Sequence, residues 1–275
     1  MKPVTPLELY RATPRTNCRQ CGFAACLAFA TAAIVEKKPL DLCPFLDPNT
    51  KAALAERIAA QHLAEVYVKR DLYRYTADDI RSKLRDKDFA AVAGGIGAVF
   101  DVREGIEVLR FFYLNRLCEL SRSFILLDGK TADDPWDNIL LYNYVYFAGR
   151  EELKGEWIPI DRIPGHIPKK PELEKGCEQK IGCHFEGGQA RLAAACKALG
   201  GTLSAENSNA DLAFEFYPLP KVPFLLLFWD HVPEEGFPAR VKVLFDVSVT
   251  DYLDIESLVF LAEKFAEALI GCDRP

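Results

Sequence analysis

Apolar residues recur along this chain in two different periods, and the switches between them outline its elements. From Asn49 to Tyr67 they fall at Leu54, Ile58, Ala59, Leu63 and Val66 with charges between, which predicts an amphipathic helix carrying His62. From Asp211 to Tyr217 they alternate, with Leu212, Phe214 and Phe216 on one face of a predicted strand. Val222 to Trp229 is an unbroken apolar run, the mark of a central strand buried on both faces. Asp230 to Gly236 turns the chain, and Arg240 to Val247 returns as the second arm of an antiparallel hairpin. The helical period resumes at Ile255 to Leu269, with Leu258, Ala262, Phe265 and Leu269 as its stripe and Asp254 as its cap.

Local signals fill in the rest. Thr5 caps a short helix over residues 5–12, with Pro6 in its first turn. Small and apolar helix formers run from Ala24 to Val35. A helix ending at Gly94-Gly95 leads to a predicted strand from Ile96 to Phe100, and Gly105 turns it into a partner from Ile106 to Tyr113. Ser123 to Lys130 reads as a strand and turn. Asp134 and Pro135 open a helix from Trp136 to Phe147, ended by Gly149 and crowded with aromatics; it is core or the wall of a pocket for a flat cofactor. Gly155 to His166 is a short strand and a proline-rich turn, and Gln189 to Leu199 is a helix in which Cys196 serves as a small core residue. The predicted fold class is α+β: a small, mostly helical module over residues 1–50, then a domain over 51–275 with helices packed on a mostly antiparallel sheet.

Chemistry concentrates near the start. Cys18, Cys21, Cys26 and Cys43 are spaced C-x2-C-x4-C-x16-C, and Pro44 follows the last. Four thiolates from one tight loop and one return strand suit a cubane iron–sulfur cluster. Tetrahedral zinc is the competing occupant, although zinc sites more often carry two C-x2-C knuckles and only one is present. Cys26 falls in the first turn of its helix, where the positive end of the helix dipole favours a thiolate. Phe23, Leu27 and Phe29 are expected either to wall off the cluster from water or to form the module's small core.

The stretch from Thr13 to Ala30, followed by Cys43-Pro-Phe, resembles the four-cysteine [4Fe-4S] module of the corrinoid iron–sulfur protein large subunit and of Rnf-type cluster subunits. That resemblance covers about residues 5–50 and implies that all four cysteines ligate the cluster. The remainder resembles, more loosely, a prokaryotic family of unknown function. The family likeness implies one-electron transfer at low potential, with a corrinoid as the acceptor. No histidine among His62, His166, His184 and His231 carries the D-x-H-x-x-G corrinoid signature, so the usual base-off mode is not visible.

Composition narrows the remaining classes. The net charge of -6 disfavours nucleic acid as the main partner. No window holds enough uninterrupted apolar residues for a membrane span, and the first residues have no signal-peptide pattern. Nine cysteines then read as reduced thiols in the cytoplasm of an anaerobe. Gly95-Ile96-Gly97 lacks the third glycine of a dinucleotide loop. His166 is expected in a loop after Gly165, free to reach a metal or cofactor. Cys177, Cys183 and His184 offer up to three further soft ligands, or a pair of partly buried thiols beside an incidental histidine. Asp230, His231 and Glu234 share a turn, which is either solvated or fit for acid–base work. The expected function is electron transfer from the cluster to a cofactor or partner at the second domain, a corrinoid protein or methyltransferase among the candidates. Two alternatives stay open: a redox-sensing interaction protein with a structural cluster, and an enzyme whose second metal centre draws on Cys177, Cys183, His184 or His166.

Overall fold

The computed structural model describes residues 4–35, 37–205, 209–231 and 236–273, and the side chains of all of these except Val35 and residues 62–76. The expectations for the side chains of His62 and Glu234 lie outside the described residues. The chain divides between Leu72 and Tyr73 into two compact units. Among the described residues no helix is long and apolar enough to cross a membrane.

The first unit is helical. Thr5 caps α1 (Pro6–Ala12) by accepting from the Glu8 amide at 3.2 Å. Next come α2 (Cys26–Val35), a short turn of 3-10 helix (Leu40–Leu42) and the start of α3 (Pro48–Lys83). The helix expected over 49–67 is therefore part of a longer one. Val4, Leu9, Phe29, Ala30, Ala33, Leu40, Leu46, Leu54 and Ile58 form one small core with Cys43. Arg57 on α3 holds Glu8 on α1 through a 2.7 Å ion pair at the edge of that core.

The second unit contains two five-stranded antiparallel sheets where one was expected. The first is a meander of β1 (Val99–Arg103), β2 (Ile106–Tyr113), β3 (Arg116–Leu120), β4 (Ile125–Leu127) and β5 (Lys130–Thr131). Glu104-Gly105, Leu114-Asn115 and Asp128-Gly129 join its strands as two-residue turns with both φ angles positive. Such turns match the right-handed twist of the arms they connect. β3 had no counterpart in the sequence reading because Leu114-Asn115 is a turn of this type without a glycine.

The second sheet has the order β6 (Trp157–Ile158), β10 (Arg240–Asp246), β9 (Val222–Trp229), β8 (Leu212–Leu219) and β7 (Thr202–Leu203). β9 is central and buried from Val222 through Phe228, as its unbroken apolar run implies. Pro223 lies near its start and has no amide to donate to a neighbour. The pairing with β8 breaks there: Phe216 faces Phe224 and Leu219 faces Val222, so Tyr217 and Pro218 stand opposite the one proline. The result is a β-bulge.

Helix α9 (Ile255–Gly271) lays its expected stripe on this sheet, with Phe265 in edge contact with Phe216 and Phe224 at 4.7 and 5.6 Å between ring centres. Helix α5 (Pro135–Phe147) packs beside α9 by stacking Trp136 on Phe260 at 3.7 Å. Its aromatics divide: Tyr142 and Tyr144 are core, while Tyr146 and Phe147 are exposed. It closes at Ala148 in the left-handed region, one residue before the expected Gly149.

Ile96 belongs to a turn, not to the strand expected from it. After α4 (Phe89–Ala93), the amide of Ala98 donates to Ala93 O at 2.8 Å and that of Gly97 to Gly94 O at 3.2 Å, with Gly97 at φ +67°. That is a Schellman closure, and it needs a residue without a Cβ at Gly97. The strand then begins only at Val99. The buried hydroxyl of Tyr144 donates to Ile96 O at 2.6 Å and accepts from the Lys221 amide at 3.2 Å, tying this turn to the β8–β9 turn. Burial holds that hydroxyl protonated, far above the usual tyrosine range.

Two predictions follow from these polar contacts. Tyr144→Phe leaves the Ile96 carbonyl and Lys221 amide without their partner, so denaturant unfolding should show a loss of about 1–3 kcal/mol with an unchanged slope. Asp246 is 1% exposed and accepts from Gly155 N at 2.7 Å, Ser248 N at 2.9 Å and Ser248 Oγ at 2.5 Å. Burial raises its pKa, but those hydrogen bonds outweigh burial and hold the carboxyl below its ordinary 3.8. A depressed carboxylate stabilises the fold above its unfolded pKa, and that contribution is lost as pH falls through the folded value. Asp246→Asn should therefore lower stability at neutral pH and flatten its acid dependence.

Candidate metal centre

Local chemistry closes the loop that carries the first three cysteines. Asn17 Oδ1 accepts the amide of Cys26 at 2.9 Å. That amide opens α2 and has no partner within the helix. The bond links the residue just before Cys18 to Cys26 itself, closing the loop end to end. Asn17, Arg19 and Gly22 within it, and Arg15 just before it, have positive φ, and the Gly22 amide donates to Arg19 O at 2.9 Å. A backbone that visits the left-handed region this often winds tightly. Asn17 was not singled out from the sequence; an asparagine beside the first cysteine of the loop was the available signal.

Cys43 is buried in the core of the first unit, its amide bonded to Leu40 O at 3.2 Å. Cys21 and Phe23 pack against the same core, and Phe23 meets Phe29 at 5.8 Å between ring centres. Leu27 is 46% exposed and stands outside it, contrary to the expectation that grouped it with the two phenylalanines. Cys26 is buried and Cys18 exposed; all four are free thiols. In kind and number these donors fit a cubane cluster, which takes one thiolate per iron. Among the described residues, no three or more His, Cys, Asp or Glu side chains are already converged to metal-holding distance.

The other candidates are dispersed. His166 opens α6 (His166–Leu173) instead of lying in a loop, and its Nδ1 lies 2.9 Å from Ile163 O in its own turn. Gly165, in the left-handed region, starts the helix at that point. Cys177 is fully buried in the π-helical turn Glu174–Glu178, and burial pushes its thiol far up from the ordinary value. Cys183, on the following α7 (Gln179–Phe185), is exposed. His184 Nε2 meets Asp273 Oδ2 at 2.9 Å, an oxygen shared with Arg191 Nη1 at 2.8 Å. Cys196, on α8 (Gln189–Ala198), is fully buried, and burial pushes its thiol up to about 12. Asp230 Oδ1 accepts from Gly187 N at 2.7 Å and from His231 N at 2.8 Å. Burial raises its pKa, but these amides prevail and keep it below the ordinary range, so Asp230 braces a turn and is a poor proton carrier.

With this geometry in view, comparison with known proteins is informative at both ends of the chain. Residues 14–45 match a family model described as "Putative Fe-S cluster". The gamma subunit of the acetyl-CoA decarbonylase/synthase complex of Archaeoglobus fulgidus is 42% identical over 77 residues, 25% of this chain and 16% of that protein. The corrinoid/iron-sulfur protein large subunit of Moorella thermoacetica is 41% identical over 64 residues, 23% of this chain and 14% of that one. The gamma subunit of Methanosarcina acetivorans is 34% identical over 153 residues, 49% of this chain and 31% of the relative. The chain therefore spans less than a third of the length of each. No solved structure matches it. A second family model covers residues 88–268, more than half of the 275 residues, and by that match the chain belongs to the family described as "Domain of unknown function (DUF3786)".

Proposed function

We propose that Cys18, Cys21, Cys26 and Cys43 ligate a [4Fe-4S] cluster, and that the chain passes low-potential electrons from it to a corrinoid or a corrinoid-handling partner. We assign the module to residues 1–50 and the receiving domain to 51–275. The observation that carries this reading is the closed loop: the Asn17–Cys26 bond brings its ends together, and Cys43 returns to the same small core that Cys21 packs against. The match of residues 14–45 and the names of the curated relatives support the same direction. When bound, the cluster supplies one-electron transfer.

The chain's own residues do the rest. The cysteines hold sulfur in place, with Cys26 at the start of α2 and Cys43 in the small core. Phe23 and Phe29 exclude water on one side. The partner is a protein that handles a methyl group or a corrinoid, in keeping with relatives that are named as subunits of a complex.

Protein purified without oxygen should be brown, hold about four irons per chain and give a low-temperature paramagnetic signal on reduction. A colourless, zinc-loaded protein would overturn the assignment. Cys18→Ser, Cys21→Ser, Cys26→Ser and Cys43→Ser should each lower bound iron, whereas Cys196→Ser should not. Asn17→Ala removes no ligand but opens the loop, so iron should leave faster when a chelator is added. Stopped-flow mixing of the reduced protein with Co(II) cobalamin tests the electron-transfer half separately; retained iron with no electron delivered would leave a structural or sensing cluster.

A further inference from the structure

We propose that the seam between the two sheets of the second unit binds a small organic anion with a flat, apolar body. The seam is where the Leu114 amide, at the end of β2, donates to Pro218 O in the β8 bulge at 2.8 Å. Beside it lies a cavity of about 630 Å³ lined by Val99, Arg110, Phe112, Leu117 and Tyr217, with Gly97 and Pro220 on its rim. That volume falls in the range of about 300–1,000 Å³ typical of small-molecule sites.

Three independent features build the site. The first is its rim. A Cβ at Gly97 would lie 2.7 Å from Pro220 Cβ, so only glycine lets these two turns close on each other. Tyr144 pins both turns from behind through Ile96 and Lys221. The second is its apolar wall. Pro223 forces the bulge in β8, and the bulge leaves Tyr217 53% exposed. Phe112 and Val99 are exposed beside the same cavity at 58% and 65%. Large apolar side chains held around one opening mark a binding surface more often than a bare one.

The third feature is Arg110. Its Nε is buried and has no hydrogen-bond partner among the described residues. Glu119 Oε1 lies 3.4 Å away, near enough for ion pairing but not for a hydrogen bond, and the same oxygen is held at 2.6 Å by Arg103 Nη1. Arg110 therefore brings a rigid, charged fork of donors to the edge of an apolar cavity, and Glu119 leaves it without a hydrogen bond at Nε. That Nε is itself shut off from solvent, but the side chain is 36% exposed where it lines the cavity, and an anionic group is what its remaining donors would bind best. Phe112 and Tyr217 suit a planar ring. The ligand class is thus an aromatic or similarly flat molecule bearing a carboxylate, sulfonate or phosphate.

Fluorescence titration of the full-length protein with anilinonaphthalene sulfonate tests this, with the neutral phenylnaphthylamine as its uncharged counterpart. The sulfonate should saturate a single site. Arg110→Met should weaken it about tenfold or more while leaving the neutral probe within about twofold. Tyr217→Ala, at an exposed position that the fold does not need, should weaken both. Should Arg110→Met not fold, Arg110→Lys keeps the charge without the fork and should give an intermediate loss of the sulfonate. Carboxylate and phosphate esters of the same ring then rank the natural headgroup. Absence of saturable binding would overturn the proposal, as would equal binding of both probes that ignores the Arg110 change. So would a dimer in sedimentation that Phe112→Ser dissociates, because the surface would then be an interface between copies.

Discussion

One buried hydroxyl governs how the larger unit is assembled. Tyr144 sits in the last turn of α5, packed between Phe111 of β2 and Tyr252, at 5.7 and 6.3 Å between ring centres. Its single proton goes to Ile96 O, and its lone pair takes the Lys221 amide. One of those groups lies in the turn that leads into the first sheet, the other in the hairpin turn between β8 and β9 of the second. Backbone groups at such turns would otherwise be stranded away from water, at a cost comparable to a lost hydrogen bond. The tyrosine thus sets the separation of the turns, and with it the width of the opening between the sheets. Bulk burial cannot do this, because the hydrophobic effect is non-directional.

The smaller unit obeys a different constraint. Its core is a few residues from three helices and the segments between them, and part of its surface is the cysteine loop, which contains no regular helix or strand. Domains of such size commonly need a crosslink or a metal to reach full stability. Here the proposed cluster would serve that end and carry the chemistry as well. The Asn17–Cys26 bond then acts as a preformed latch, reducing the entropy to be lost when four sulfurs converge.

Much of this was legible in the chain. The periods of Leu212–Phe216, Val222–Trp229 and Leu258–Leu269 located β8, β9 and α9, because each element buries a face whose repeat is dictated by backbone geometry. Caps at Thr5, Asp134 and Asp254 marked helix starts correctly, since an orphan amide needs an acceptor whatever lies beyond it. The cysteine quartet was equally plain. Three things were not. The turn at Leu114-Asn115 has ordinary residues in left-handed conformations, held there by the pairing of β2 with β3. The helix ended at the expected glycine pair, but the turn then ran on to Gly97 and delayed the strand to Val99, because the closing hydrogen bonds choose the glycine. His166 and Cys177 had the right chemistry for ligands, but exposure and partners depend on neighbours far along the chain.

By itself, then, the amino-acid order determined the four-cysteine spacing near the start, the α+β class and the location of the long elements, all of which are read from spacings or periods along the chain. Only the folded arrangement decided that the strands form two sheets, that Pro223 in one strand throws Tyr217 outward from the next, and that Arg110 keeps a donor unmade beside Glu119. Those outcomes depend on which distant segments meet, and no local pattern encodes the partner of a side chain that lies on another strand.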